Sequence, residues 1–223
     1  MSPVVEWGRR EYREALDAMH SMVRERRAGT IEDTLILVEH PPVVTVGVEG
    51  DDGGAARSGL PIVHVERGGH ATYHGPGQLV GYPIVDLGPR GRDVRQFVHD
   101  VEEIVVRSVA PFGIVAGHVS GRRGVWVDGQ RKIASIGIAV DHWVTFHGFA
   151  LNIQPDLENF ERFHPCGFPG SVMTSLSREV GRPVSLFEVT PHVVHAWQQL
   201  FGSGLARAEE ARPEPTKAPA ARA

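Results

Sequence analysis

The chain has 223 residues, 41% hydrophobic and 22% charged, with a formal net charge of −4. That length suits one sizeable core or at most two small domains, and the charge lacks the basic excess of a nucleic-acid binder. No apolar run approaches the ~20 residues that span a bilayer, the first residues lack a signal-peptide pattern, and a single cysteine fits a reducing compartment, so the expectation is a cytoplasmic protein with neither nucleic acid nor membrane as partner.

Residues 10–28 predict an amphipathic helix, with Leu16, Met19 and Val23 at helical spacing and Gly29 as its stop. Leu35 to Val38 predicts a strand, broken by His40-Pro41-Pro42 and resumed over Val43 to Val46. The acidic, glycine-rich stretch from Glu49 to Gly59 predicts a surface loop. Ile62 to Val65 is a further strand, feeding a glycine-dense segment from Arg67 to Gln78. Leu79 to Val85 predicts another, and Pro83 within it argues for a sheet edge or a bulge. Residues 93–109 form a second helix, striped by Val94, Phe97, Val98, Val101, Ile104 and Val105. Asp128-Gly129, between Gly124–Val127 and Gln130–Val140, is a strong hairpin signal. Trp143 to Ile153 reads as one long strand, Leu157–Phe160 as a helical turn, Thr174 to Val180 as a short helix, and Pro191 to Phe201 as a last amphipathic helix. Hairpins interleaved with helices predict an α+β fold with a mixed sheet. The expected division is a catalytic domain over 1–205 and a disordered Ala/Pro-rich tail over 206–223.

Cys166, in His164-Pro165-Cys166-Gly167, is either a small buried hydrophobe or a nucleophile whose neighbouring turn amides can face a developing oxyanion. Between Arg131 and Val140 the even positions Lys132, Ala134, Ile136, Ile138 and Val140 make one apolar strand face, which Lys132 leads. There it either snorkels at a strand start or, partly desolvated, moves protons and stabilises a nearby thiolate. In the next strand, alternation places His147 beside Trp143, Thr145, Phe149 and Leu151, as a core or a catalytic histidine. In the glycine-dense segment, which has no nucleotide-loop ending, Thr72 and Tyr73 are expected to face a ligand. Of the histidines, the pairs His70/His74 and His192/His195 were weighed as metal ligands. The first lies in a glycine-rich loop and the second lacks a third donor nearby, so no metal is expected.

Four motifs then carry a resemblance: Arg67-Gly68-Gly69-His70-Ala71-Thr72-Tyr73-His74-Gly75-Pro76-Gly77-Gln78-Leu79, Arg131 to Gly137, His147-Gly148-Phe149-Ala150-Leu151-Asn152 and Pro165-Cys166-Gly167. In this order, with His40-Pro41-Pro42 and Thr174-Ser175-Leu176, the chain resembles the lipoyl(octanoyl) transferases over about residues 8–200. The resemblance implies a biotin/lipoate protein ligase-like catalytic fold, its largely antiparallel sheet flanked by helices. It also implies transfer of an octanoyl group from octanoyl-acyl carrier protein to a lysine of lipoyl domains, namely those of 2-oxoacid dehydrogenase subunits and the glycine cleavage H protein, without a cofactor. Carried over, the family roles make Cys166 the acyl-thioester nucleophile and Lys132 the residue that lowers its pKa. Substrate contacts fall on Arg67, Gly68, Gly69, His70, Ala71, Thr72, Tyr73 and His74, on Ser135, Ile136 and Gly137, and on His147, Gly148 and Phe149. Val46 and Val48 depart from the commoner pattern, where polar residues often stand, which bears on the pocket rim. Arg90, Arg92, Arg95, Arg122, Arg123 and Arg131 are candidates for a basic docking rim.

Overall fold

In the computed structural model, which describes residues 1–50, 54–162 and 168–202, the apolar segments pair into two sheets. In chain order the elements are β1 (Val4–Arg9), α1 (Tyr12–Arg27), β2 (Thr34–Glu39), β3 (Val43–Val46), α2 (Gly54–Arg57), β4 (Ile62–His64), β5 (Ala71–His74) and β6 (Gln78–Ile84). There follow α3 (Val94–Val109), β7 (Ala116–Val119), β8 (Arg122–Val127), β9 (Arg131–Asp141), β10 (Val144–Asn152), α4 (Glu158–Glu161), α5 (Leu176–Val180) and α6 (Leu186–Phe201). The larger sheet has seven strands in the order β1-β2-β6-β10-β9-β8-β7. It is antiparallel throughout except at β1–β2. The smaller has three strands, β4-β3-β5.

Each face of the large sheet is covered because its strands present apolar residues on both sides. Against one face lie α3, through Phe97, Val101 and Ile104, and α6, through Val193, Trp197 and Phe201; they meet Val125, Val127, Ala134, Ile136, Phe149 and Leu151. Met19 and Val23 of α1 cover the other face at Ile36, Val80, Tyr82, Ala139 and Phe146. The small sheet adds its own cluster of Val44, Val46, Ala71 and Tyr73 with Phe160 and Met173. This is the expected α+β architecture, and no helix among the described residues is long and apolar enough to cross a membrane.

Four local readings change. The stretch expected as a surface loop between Glu49 and Gly59 holds α2, whose Gly54 and Ala55 are buried. Pro83 is central, since β6 pairs with β2 on one side and β10 on the other. It stands opposite Leu35, whose N–H goes to Pro3 O, so β2 asks no bond of the proline nitrogen. On the β10 side the ladder stops at Gly81–Phe149, and the Thr145 hydroxyl takes over, donating to Pro83 O at 2.7 Å and accepting from Val85 N at 3.0 Å. α6 starts five residues before Pro191, because Ser185 and Glu188 form a capping box. β10 starts after Trp143, since His142 and Trp143 both take positive φ (48° and 69°) and form the turn from β9. Asp128 and Gly129 do the same between β8 and β9 (50° and 67°), as the hairpin signal predicts. Val46, suspected at a pocket rim, is buried in the small sheet, while Val48 is exposed. The tail from residue 203 on lies outside the described residues.

Candidate active site

Two strand irregularities build the site. In β9 the pairing with β8 steps from Ala134↔Val125 to Lys132↔Trp126, which leaves Ile133 as the extra residue of a bulge. Ala134 and Ile136 therefore keep the face covered by α3 and α6, as does Ile133, while Lys132 is turned to the opposite face. The expectation that Lys132 leads the Ala134–Ile136 face is corrected by that one residue. Its side chain is only 1% exposed. Nζ lies 5.7 Å from the ring centroids of both Trp126 and Phe168 and has no hydrogen-bond partner among the described residues. Gly124 leaves the room for it: a Cβ there would come 2.7 Å from Lys132 Cε, at a φ of +101°.

The second irregularity is His147, which has φ +57° inside β10. A non-glycine residue in that region inside a strand is uncommon and marks a constrained site. Strict alternation would put its ring with Phe149 and Leu151 under α3 and α6. Instead it lies 4.9 Å from the Phe146 ring and edge-on to Tyr82, on the α1 side. The periodicity reading is thus overturned for both residues, and in the same direction.

On this side a pocket of about 350 Å³, counting its open mouth, lies between the two sheets and the start of α1. Arg67, Thr72, His74, Ser135, Ile136, Gly137, His147, Gly148 and Phe149 line it, joined by Tyr12, Val80, Tyr82 and Ala150. Of the remaining expected contacts, Ala71 and Tyr73 point into the small sheet's core, where Tyr73 meets Phe160 edge-on. Strand alternation sends Thr72 and Tyr73 to opposite sides, so only Thr72 faces the pocket. His70 is half-exposed beside Glu49, and Gly68 and Gly69 border the Arg123 guanidinium without lining the pocket. Tyr12, Tyr82 and Trp126 carried no signal in the sequence, where aromatics on amphipathic elements read as ordinary core. Cys166 lies outside the described residues.

Arg67 is the pocket's fixed cation, nearly buried and held by oxygens of neutral groups. Nη2 donates to Thr45 O (2.9 Å) and Thr45 Oγ1 (2.8 Å), and Nη1 to Gly68 O (3.1 Å). The imidazoles around it are neutral. Burial lowers His147 to about 4, with Arg67 adding to the effect, and lowers His40 to about 4. Burial likewise drives His74 well below the usual histidine range. Tyr12 is pushed up to about 12 by burial and stays a hydroxyl donor. The donors are pre-positioned: His40 bridges Arg10 O and the Tyr82 hydroxyl at 2.8 Å each, and Tyr12 Oη meets His147 Nδ1 at 3.4 Å. Among the described residues, the buried polar side-chain atoms without a partner include Arg67 Nε, Thr72 Oγ1, His74 Nδ1, Trp126 Nε1 and Lys132 Nζ. Buried polar atoms are ordinarily satisfied, so the three on pocket-lining residues, Arg67, Thr72 and His74, mark a place built for a polar guest, while Trp126 and Lys132 stand outside that lining.

A polar scaffold holds the Lys132 strand from behind. Thr174 N donates to Lys132 O at 3.0 Å, and Thr174 Oγ1 to Glu179 Oε1 at 2.6 Å. Glu179 is gripped by the Arg131 guanidinium at 2.8 and 2.9 Å, which holds its carboxyl below the usual range. Asn152 Nδ2 donates to Thr174 O at 3.0 Å, and its Oδ1 accepts from Gln78 Nε2 at 2.8 Å, which carries the scaffold into β6. Chemically, the pocket offers a fixed cation and neutral donors around an apolar-walled hollow, and the buried Lys132 amine stands outside its lining.

The lipoyl protein ligase A/B catalytic domain matches residues 11–198. The chain is 47% identical over 185 residues to an octanoyltransferase of Geobacter sulfurreducens, covering 83% of this chain and 78% of that protein. It is 44% identical over 200 residues to the octanoyltransferase of Syntrophotalea carbinolica, covering 90% and 94%. Among solved structures, lipoate-protein ligase A bound with ATP superposes with a TM-score of 0.74 at 17% identity, over 90% of this chain and 85% of the other. That likeness speaks for the fold alone.

Proposed function

Since this chain belongs to the lipoyl protein ligase A/B catalytic-domain family and is an octanoyl-transferring enzyme of protein lipoylation, we propose the route its residues take. The donor is octanoyl-acyl carrier protein and the acceptor is a lysine of a lipoyl domain, as in 2-oxoacid dehydrogenase subunits and the glycine cleavage H protein. Cys166 is the nucleophile and Lys132 its proton partner.

The Cys166 thiolate attacks the thioester carbonyl of the donor; the new S–C bond forms as the carrier's C–S bond breaks. The carrier leaves as a thiol, taking its proton from the Lys132 ammonium. The acceptor amine then attacks the Cys166 thioester, loses its proton to the Lys132 amine, and releases the thiolate. A thioester is already activated, so the transfer is driven without a nucleotide. Arg67, Thr72 and the neutral His74 and His147 hold the acyl end, and Val80, Ile136, Phe149 and Ala150 wall the chain. At about 0.8 kcal/mol per methylene such walls rank chain lengths coarsely.

The observation that supports this reading is the buried Lys132 Nζ, which has no hydrogen-bond partner among the described residues and stands on the sheet face opposite α3 and α6. Phe168, whose ring lies against that amine, follows Cys166 by two positions, and two residues reach at most about 7 Å. For docking, Arg90 and Arg131 are engaged by Asp33 and Glu179, and Arg92 covers Trp143. Arg123 is likewise paired with Glu49, which leaves Arg122, against Trp126, and the exposed Arg95 as the arginines an acidic partner would meet.

The test is intact-mass spectrometry after mixing with octanoyl-carrier protein. An octanoyl adduct forms on the native chain, disappears in Cys166→Ser, and forms and discharges more slowly in Lys132→Ala. Persistence of the adduct in Cys166→Ser, or octanoylation from octanoate and ATP by Cys166→Ala, overturns the assignment.

A further inference from the structure

Outside the pocket, α3 and β7 bring together a second set of donors. His99 and Glu102 stand at i and i+3 on α3 and so share a face. His118 of β7 meets them, and donor atoms of the three all lie within 4.8 Å of one another. The two imidazole rings stand edge to face with centroids 4.5 Å apart. His118 Nδ1 is 2.7 Å from Glu102 Oε2, and its Nε2 is 3.3 Å from Glu103 Oε1. None of these residues lines the substrate pocket.

We propose that His99, Glu102 and His118 form a binding site for a borderline divalent transition metal of the zinc class. In a tetrahedral zinc site, bonds of about 2.1 Å set donors about 3.4 Å apart. Closing this triad onto a metal therefore asks for shifts of about 1 Å, within the reach of exposed imidazole rotamers. Two imidazoles and a carboxylate suit Zn²⁺, whereas Mg²⁺ and Ca²⁺ prefer all-oxygen shells. Water or Glu103 completes the coordination. Glu102 is oriented from outside the triad, because its Oε1 accepts the Gly124 N–H at 3.1 Å. Gly124 in turn backs the Lys132 methylenes, so the metal clamps α3 to the edge of the sheet behind the reactive amine.

No spacing motif announces this set, because the two histidines are nineteen positions apart (118 − 99) and their meeting depends on β7 lying beside α3.

The test uses the full chain carrying Cys166→Ser, so that no thiol can ligate. Calorimetric titration with ZnCl₂ should show one equivalent bound, and Co²⁺ should give a four-coordinate visible spectrum without thiolate charge transfer. His99→Ala, His118→Ala and Glu102→Gln should each weaken Zn²⁺ binding tenfold or more, while His192→Ala/His195→Ala leaves it unchanged. His99, Glu102, His118, His192 and His195 are all at least partly exposed, and circular dichroism verifies the folding of the variants. Failure of the parent to bind one equivalent, or affinity within twofold of the parent in the His99→Ala/His118→Ala variant, overturns the proposal.

Discussion

Replacing Lys132 by Met separates the two demands on this site. An ammonium that is 1% exposed, with two aromatic faces at 5.7 Å but no hydrogen-bond partner among the described residues, is destabilising. Leaving a buried charge uncompensated costs about 3–5 kcal/mol, of which the proposed Cys166 thiolate offsets a part, and two cation–π contacts return about 0.5–1 kcal/mol each. Methionine keeps the volume and places a polarisable sulfur between Trp126 and Phe168, itself favourable by about 0.3–1.5 kcal/mol. The net expectation is a gain of about 2 kcal/mol, which in a chain of this size raises Tm by about 4–8 °C. Losing a group that moves protons in both half-reactions should cut octanoyl transfer by about 10²–10⁴. Urea unfolding followed by tryptophan fluorescence, with transfer from octanoyl-carrier protein measured in parallel, reads both quantities. A Lys132→Met protein less stable than the parent by more than 1 kcal/mol, or one retaining half its activity, refutes the reasoning.

The neutral His40 and His147 predict acid sensitivity. Their folded values near 4 lie below the ordinary 6.5, so their contribution is full above pH 6.5 and lost as pH falls towards 4, about 3 kcal/mol each. A urea midpoint that stays level between pH 7.5 and pH 4.5 contradicts this. Glu179→Gln breaks the link between Arg131 and Thr174 and should lower both stability and the rate of acyl transfer. Because the native carboxyl is held below its usual range, the stability difference is largest above about pH 4.3 and shrinks below it, which pH-resolved denaturation checks. Ala150→Leu fills part of the pocket's apolar wall, and transfer of octanoyl should suffer more than transfer of hexanoyl in a competition assay. Equal losses would remove Ala150 from the acyl path.

What the sequence made legible was the skeleton. Helical stripes located α1 and α3, and Asp128-Gly129 located the β8–β9 turn because both residues tolerate positive φ. The His142-Trp143 turn escaped notice because neither residue advertises that conformation. The Ser185/Glu188 capping box was masked by Pro191, which invites a helix start of its own. At the site, the glycine-dense segment and the motifs at Ser135–Gly137 and His147–Phe149 supplied most of the pocket lining, but the faces were misjudged. Period-two counting assumes an unbroken ladder, and it fails at Ile133 and at His147, where the backbone departs from one. Tyr12, Tyr82 and Trp126 come from distant parts of the chain and converge only through sheet order.

The extra residue at Ile133 has a further consequence for how such a protein tolerates indels. Adding one residue to β8 between Val125 and Trp126, opposite Ile133, would restore even pairing between β8 and β9 and leave the strand order intact, yet would swing the amine of Lys132 under α3 and α6, sealed from any substrate. Such a lengthened chain would still assemble its sheets and be chemically mute. In this scaffold, folding competence and reactivity are divided by one backbone unit.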